Sequence, residues 1–123
     1  MTDLMTIELK ALRFFAYHGL HTEEQKTGNE FEVNLVVSYY PVSGIITGIA
    51  DTVNYVQLYE LLKAEMQKPR DLLETFVMEV TEAIHLSFPQ VKKIEMSATK
   101  LYPPIPQFSG TVGVTYQSLA DGL

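Results

Sequence analysis

EFEVNLVVSYYP, residues 30–41, is the stretch whose reading decides the fold. Phe31, Val33, Leu35, Val37 and Tyr39 fall on one parity. Glu30, Glu32 and Asn34 open the other, which then turns mixed with Val36, Ser38 and Tyr40. That is the period of a strand with one face in a core, and Pro41 stops it. A strand of this kind needs neighbours. Upstream, residues 6–17 supply one. Ile7, Leu9 and Ala11 alternate with Thr6, Glu8 and Lys10. From Ala11 onward both parities become apolar, with Leu12, Phe14 and Ala16 against Phe15 and Tyr17, until His18-Gly19 breaks the run. Residues 20–28, LHTEEQKTG, read as a polar connection between the two strands.

Downstream the period changes. Asn54 reads as an N-cap with Gln57 three residues on, and Val56, Tyr59, Leu62 and Met66 recur at helical spacing until Pro69. Asp71 reads as a second N-cap with Glu74 at the capping-box position. Leu73, Phe76, Val77, Val80, Ala83 and Ile84 then form an apolar stripe that runs to Pro89. Residues 91–100 return to period two, with Ile94, Met96 and Ala98 opposite Lys93, Glu95, Ser97 and Thr99. A proline-rich loop, YPPIPQ, precedes a last strand over residues 111–117. The order ββααββ predicts an α+β domain: a four-stranded antiparallel sheet with two amphipathic helices on one face. The two-sided apolar character of the first two strands predicts an interface between subunits.

The 123 residues suit a single domain, residues 1–123. With 46% hydrophobic and 20% charged residues the chain is foldable rather than disordered. It has no cysteine, which excludes a disulfide scaffold, a thiolate metal site and a cysteine nucleophile. A net charge of −6 argues against nucleic acid or an anionic membrane as partner. Residues 33–50 are uncharged but carry Asn34, Pro41, Gly44 and Gly48, so they do not read as a membrane span. The first residues show no apolar targeting segment, and a cytoplasmic protein is expected.

Two residues stand out chemically. Lys100 shares parity with Ile94, Met96 and Ala98, on the apolar face of its strand. Either its amine snorkels to water, or it is partly desolvated and usable as an acid or base. Glu74 either completes a capping box with Asp71 or is a carboxylate that accepts two hydrogen bonds from a ligand. Glu23 and Glu24 sit in a polar connection, and Tyr55 follows an N-cap. His18, His21 and His85 show no zinc-site spacing, and no phosphate-loop or serine-hydrolase motif is present.

Taken together, FFAYHGLHTEEQKTGNEFEVNL (14–35), ADTVNYVQLYELLK (50–63), DLLETF (71–76), ATKLYPPIP (98–106) and VGV (112–114) resemble the dihydroneopterin aldolase family. The resemblance implies the tunnelling fold, whose ββααββ subunits assemble into a multi-subunit β-barrel. It implies a homo-oligomer, tetramers that stack into octamers, with sites between subunits. It implies a metal-free, cofactor-free retro-aldol cleavage in folate biosynthesis. There 7,8-dihydroneopterin becomes 6-hydroxymethyl-7,8-dihydropterin and glycolaldehyde, with the pterin itself as electron sink. By position Lys100 matches the family's general acid/base and Glu24 the glutamate beside the reacting side chain. Tyr55 matches the tyrosine that relays protons, with Val53 and Asn54 next to it. Glu74 matches the carboxylate that anchors the pterin, beside the Leu73 backbone. The family's usual PPIPGH is here PPIPQF, so Gln107 and Phe108 replace a glycine and a histidine. The alternatives are a 2′-epimerase acting on dihydroneopterin or its triphosphate, and a non-catalytic oligomeric pterin-binding module.

Overall fold

The computed structural model describes residues 3–42 and 44–120; the expectations that touch Met1, Thr2, Ser43 and residues 121–123 lie outside that range. Strands β1 (Met5–Ala16), β2 (Asn29–Tyr39), β3 (Val91–Lys100) and β4 (Val112–Leu119) form one sheet in the order β1-β2-β3-β4. Every neighbouring pair is antiparallel. Helices α2 (Tyr55–Met66) and α3 (Leu73–Ser87) cover one face, α2 against β1 and α3 against β3 and β4. The core lies between them, with Phe31, Val33, Leu35 and Val37 of β2 fully buried at its centre.

The change of pattern inside β1 has a local cause. Pairing with β2 shifts register between Leu9 and Leu12, and Ala11 takes φ 56° at this bulge. Its N–H donates to Asn34 Oδ1 at 2.8 Å instead of to the ladder. One extra residue switches the parity that faces the helices, so Ile7 and Leu9 are followed on the same covered face by Leu12, Phe14 and Ala16. Ala11, expected on the apolar face, is exposed. What read as two apolar faces is largely one. The open face keeps Phe15, Tyr17 and Val36 among Glu30, Glu32, Asn34 and Ser97.

Asn54 caps α2 as expected, its Oδ1 accepting the Val56 N–H at 2.9 Å. The buried row of α2 is Leu58, Leu62 and Met66. Val56, placed on the stripe from sequence, is 55% exposed, and Tyr59 is half-buried with its ring stacked on Phe14. A helix slanted across a strand buries one i, i+4 row and leaves the i, i+3 members at its margin. The capping box expected for α3 is absent. Its N-cap is Leu72, which has extended backbone and no side-chain cap, and Asp71 Oδ1 instead accepts Gln25 Nε2 at 3.3 Å. Glu74 therefore sits in the first turn without a capping role. The connection 20–28 also contains a short helix, α1 (Thr22–Thr27), with no apolar stripe to announce it. Gly28 ends α1 at φ 74°, its N–H bonded to Glu24 O at 3.0 Å. A side chain there would strike the Phe15 ring at 2.6 Å.

Candidate active site

Lys100 ends β3 directly opposite Phe31, so the sheet register places it on the helix-covered face. Its side chain is only 14% exposed. Glu24 reaches it from α1, and the Lys100 amine donates to Glu24 Oε2 while Oε1 accepts the His21 backbone N–H at 3.3 Å. Burial by itself would raise the Glu24 pKa. The hydrogen bonds from Lys100 and the His21 backbone, with the Lys100 charge, outweigh it and hold the carboxyl below its ordinary value. Glu23, the neighbour, is exposed.

This ion pair opens on a cavity of about 230 Å³. Gly19, His21 and Glu24 form one wall, Leu73 and Glu74 the other, and Lys100 the floor. Glu74 makes no hydrogen bond or ion pair among the described residues, so its carboxylate is available to a ligand. Leu73 stands at the first turn of α3, whose unpaired N–H groups give this wall a partial positive charge. The cavity can thus take a flat polar ring with donors toward Glu74 and a proton-accepting atom toward Lys100.

The other three expected site residues are elsewhere. Thr52 is tied by its hydroxyl to Tyr39 Oη at 2.6 Å, at the far end of β2. From Phe31 to Tyr39 the strand extends roughly 25 Å at about 3.3 Å per residue. Val53 there is buried and Asn54 is occupied as a cap, but Tyr55 is 60% exposed. One chain therefore joins Glu24, Leu73, Glu74 and Lys100 and leaves Val53, Asn54 and Tyr55 at the opposite end. Gln107, in place of a glycine, has φ 60° in a turn closed by Phe108 N–H to Ile105 O at 3.2 Å; Phe108 is 45% exposed.

Sequence reasoning missed the support behind the site. His18 is 1% exposed, and its Nδ1 accepts the Arg70 N–H at 3.0 Å. Burial first, and then the Arg70 charge, lower its pKa from 6.5 to about 4, so the ring is neutral. Arg70 binds Glu65 Oε1 at 2.6 Å and Glu79 Oε1 at 2.8 Å. The available signal was a lone arginine between Pro69 and the start of a helix.

Comparison with known proteins bears on the family and the fold. A sequence model of the dihydroneopterin aldolase family (FolB) matches residues 7–117. Dihydroneopterin aldolase of Staphylococcus epidermidis is 30% identical over 116 residues, covering 93% of this chain and 94% of that protein. In fold, the FolB protein of Vibrio cholerae superposes with a TM-score of 0.84 at 21% identity, over 96% of this chain and 99% of that one. Escherichia coli dihydroneopterin aldolase, solved in complex with neopterin, gives 0.75 at 16% identity, over 93% and 98%. The chain belongs to the dihydroneopterin aldolase family, and its function is that of an aldolase in folate biosynthesis.

Proposed function

We propose that the cavity holds the pterin ring of 7,8-dihydroneopterin and that the Lys100–Glu24 pair handles the protons of its retro-aldol cleavage. The observation that carries this reading is a largely buried amine–carboxylate pair opening on a cavity whose other wall presents the unengaged Glu74. Glu74 would accept hydrogen bonds from the ring N3–H and the amino group. Charge-assisted bonds of this kind hold a ring in one orientation. The reaction breaks the bond between the first and second side-chain carbons. The second carbon's hydroxyl loses its proton and becomes the carbonyl of glycolaldehyde. The electron pair moves into the ring as N5 gains a proton; the resulting enamine then takes a proton at the first carbon while N5 gives its proton up, which restores the ring C=N bond. Lys100 lies where it can give and take these protons, and Glu24 keeps its amine oriented.

Tyr55, with Val53 and Asn54, would be supplied by a second copy of the chain. The place of Tyr55 just after Thr52, which is bonded to Tyr39 about 25 Å of strand from Phe31, and the exposure of Tyr55 support this. So do the two free sheet edges, β1 and β4, which run antiparallel and can pair head to tail into a closed barrel. A groove of about 510 Å³ beside β4, lined by Met78, Leu86 and Tyr116, flanks that edge. The assembly would be a homo-oligomer of four or eight chains. None of the described helices is long and apolar enough to cross a membrane, and the cytoplasm is the proposed location.

Incubation with 7,8-dihydroneopterin followed by product analysis tests the reading. Glycolaldehyde and 6-hydroxymethyl-7,8-dihydropterin are expected. The 2′-epimer as sole product would favour the epimerase, and binding without turnover the non-catalytic module.

A further inference from the structure

Behind Glu24 lies a clasp that the chemistry above does not use. His18 follows the end of β1, and its ring is wedged against Phe31 and Phe76 with centroids 5.4 and 4.8 Å away. Because Nδ1 accepts the Arg70 N–H, the ring's proton is on Nε2. The Gly19 N–H donates to Arg70 O at 3.0 Å. Two bonds thus join residues 18 and 19 to residue 70. The guanidinium fixes residue 70 in turn, binding Glu65 O at 2.6 Å, Lys68 O at 2.9 Å, and the carboxylates of Glu65 and Glu79. It also lies 5.5 Å over the Phe76 ring.

Gly19 transmits this to the site. A Cβ there would stand 2.6 Å from Glu24 Cβ and Cδ and 2.8 Å from Oε1, so the carboxylate lies against the Gly19 backbone. Gln25 Nε2 repeats the link, donating to Gly19 O at 3.1 Å and to Asp71 Oδ1 at 3.3 Å. The wall that carries Glu24 is therefore set against the wall that carries Glu74 through residue 70.

We propose that His18 is a positioning residue: by accepting the Arg70 N–H it fixes Gly19, and through Gly19 the placement of Glu24 against Lys100. The inference rests on the reading that this pair moves the protons.

Three variants of the full chain test it, with kcat, KM and melting temperature measured separately. His18→Phe keeps an aromatic ring between Phe31 and Phe76 but has no acceptor for the Arg70 N–H. Misplacement of a proton-transferring group by about 1 Å costs up to ~10²-fold, so kcat is expected to fall ~10- to 100-fold with KM within about threefold. His18→Asn restores an acceptor oxygen near the position of Nδ1 but leaves a void beside the phenylalanines. It should melt lower than His18→Phe and yet turn over faster, within roughly fivefold of the parent. A packing role predicts the reverse, activity ranked as stability, and that ranking would overturn the proposal. Should His18→Asn not fold, Gly19→Ala decides. Its methyl displaces Glu24, and a kcat loss of about 10²-fold is expected, whereas parental kcat would break the link. A crystal structure of His18→Phe reads the same point without turnover. Glu24 displaced from Lys100 supports the clasp, and an unmoved pair overturns it even if the parent lacks aldolase activity.

Discussion

The two ends of the sheet are built differently. At one end Lys100, Glu24, His18 and Arg70 are tied to one another and to backbone by a dense set of bonds. At the other, Tyr39 and Thr52 share one hydroxyl bond, and Ile49, Tyr55 and Val56 stand 64%, 60% and 55% exposed. Lone exposed apolar groups are ordinary, but three near one helix start form an apolar group that suits the subunit contact proposed above. Under the proposed function, the contrast teaches that the chain preorganises one half of its site and only presents the other. Preorganised polar groups need support within the chain, because reorienting them during reaction is costly. A presented tyrosine needs only a fixed backbone, which Asn54 supplies by capping α2.

The largest effect should come from the organised end. Lys100→Ala removes the amine proposed to handle the protons and leaves Glu24 buried without its partner. A kcat loss of ~10²- to 10⁴-fold is expected, with pterin affinity changed far less. Parental kcat in a steady-state assay would return Lys100 to a packing role. Next is Glu74→Gln, which keeps shape but sets an amide donor beside ligand donors. Affinity should fall roughly 30- to 1,000-fold, about 2–4 kcal/mol, by pterin titration. Its melting temperature should barely move, since Glu74 caps nothing.

A smaller effect concerns pH. The folded state holds His18 neutral down to about pH 4, while the unfolded chain takes up the proton near 6.5. The unfolded state therefore binds more protons in that window, and stability falls as pH drops from 6.5 to 4, by up to about 3 kcal/mol. His18→Phe should flatten that part of the curve in denaturant melts at a series of pH values. The depressed Glu24 pKa acts with the same sign in a lower window: its contribution is present above the ordinary carboxylate value and is lost as pH falls through the folded one. The smallest effect is at Gln107, whose φ of 60° suits glycine. Gln107→Gly should relieve strain against a loss of chain entropy, raising stability by about 0.5 kcal/mol without altering kcat. A lower melting temperature would show that the Gln107 side chain matters to the loop.

The architecture was legible because period two and period 3.6 each recur long enough to be read, as in residues 30–41 and 73–84. What escaped was local. A one-residue bulge at Ala11 imitates a two-faced strand, since parity switches without any change in composition. The cap of α3 moved because Asp71 found Gln25, 46 positions away in sequence, and no local pattern encodes that bond. Lys100 and Glu24 were legible as an odd parity and a family motif, but their pairing spans 76 positions and exists only once β3 and α1 meet. His18 and Arg70 showed only as a histidine that breaks a strand and a lone arginine after Pro69, because the bond that joins them spans 52 positions.

In the proposed function a complete site draws Glu24, Glu74 and Lys100 from one chain and Tyr55 from another. Mixing two inactive variants tests it directly. Lys100→Ala and Tyr55→Ala are each prepared, combined in equal amounts, unfolded and refolded together, and mixed assembly is verified by mass. If sites form between chains, random assembly gives about one site in four with both halves intact. The mixture should then recover about a quarter of parental turnover, while each variant refolded alone stays inactive. If mixed assemblies form and no activity returns, the two halves belong to one chain and the account is contradicted.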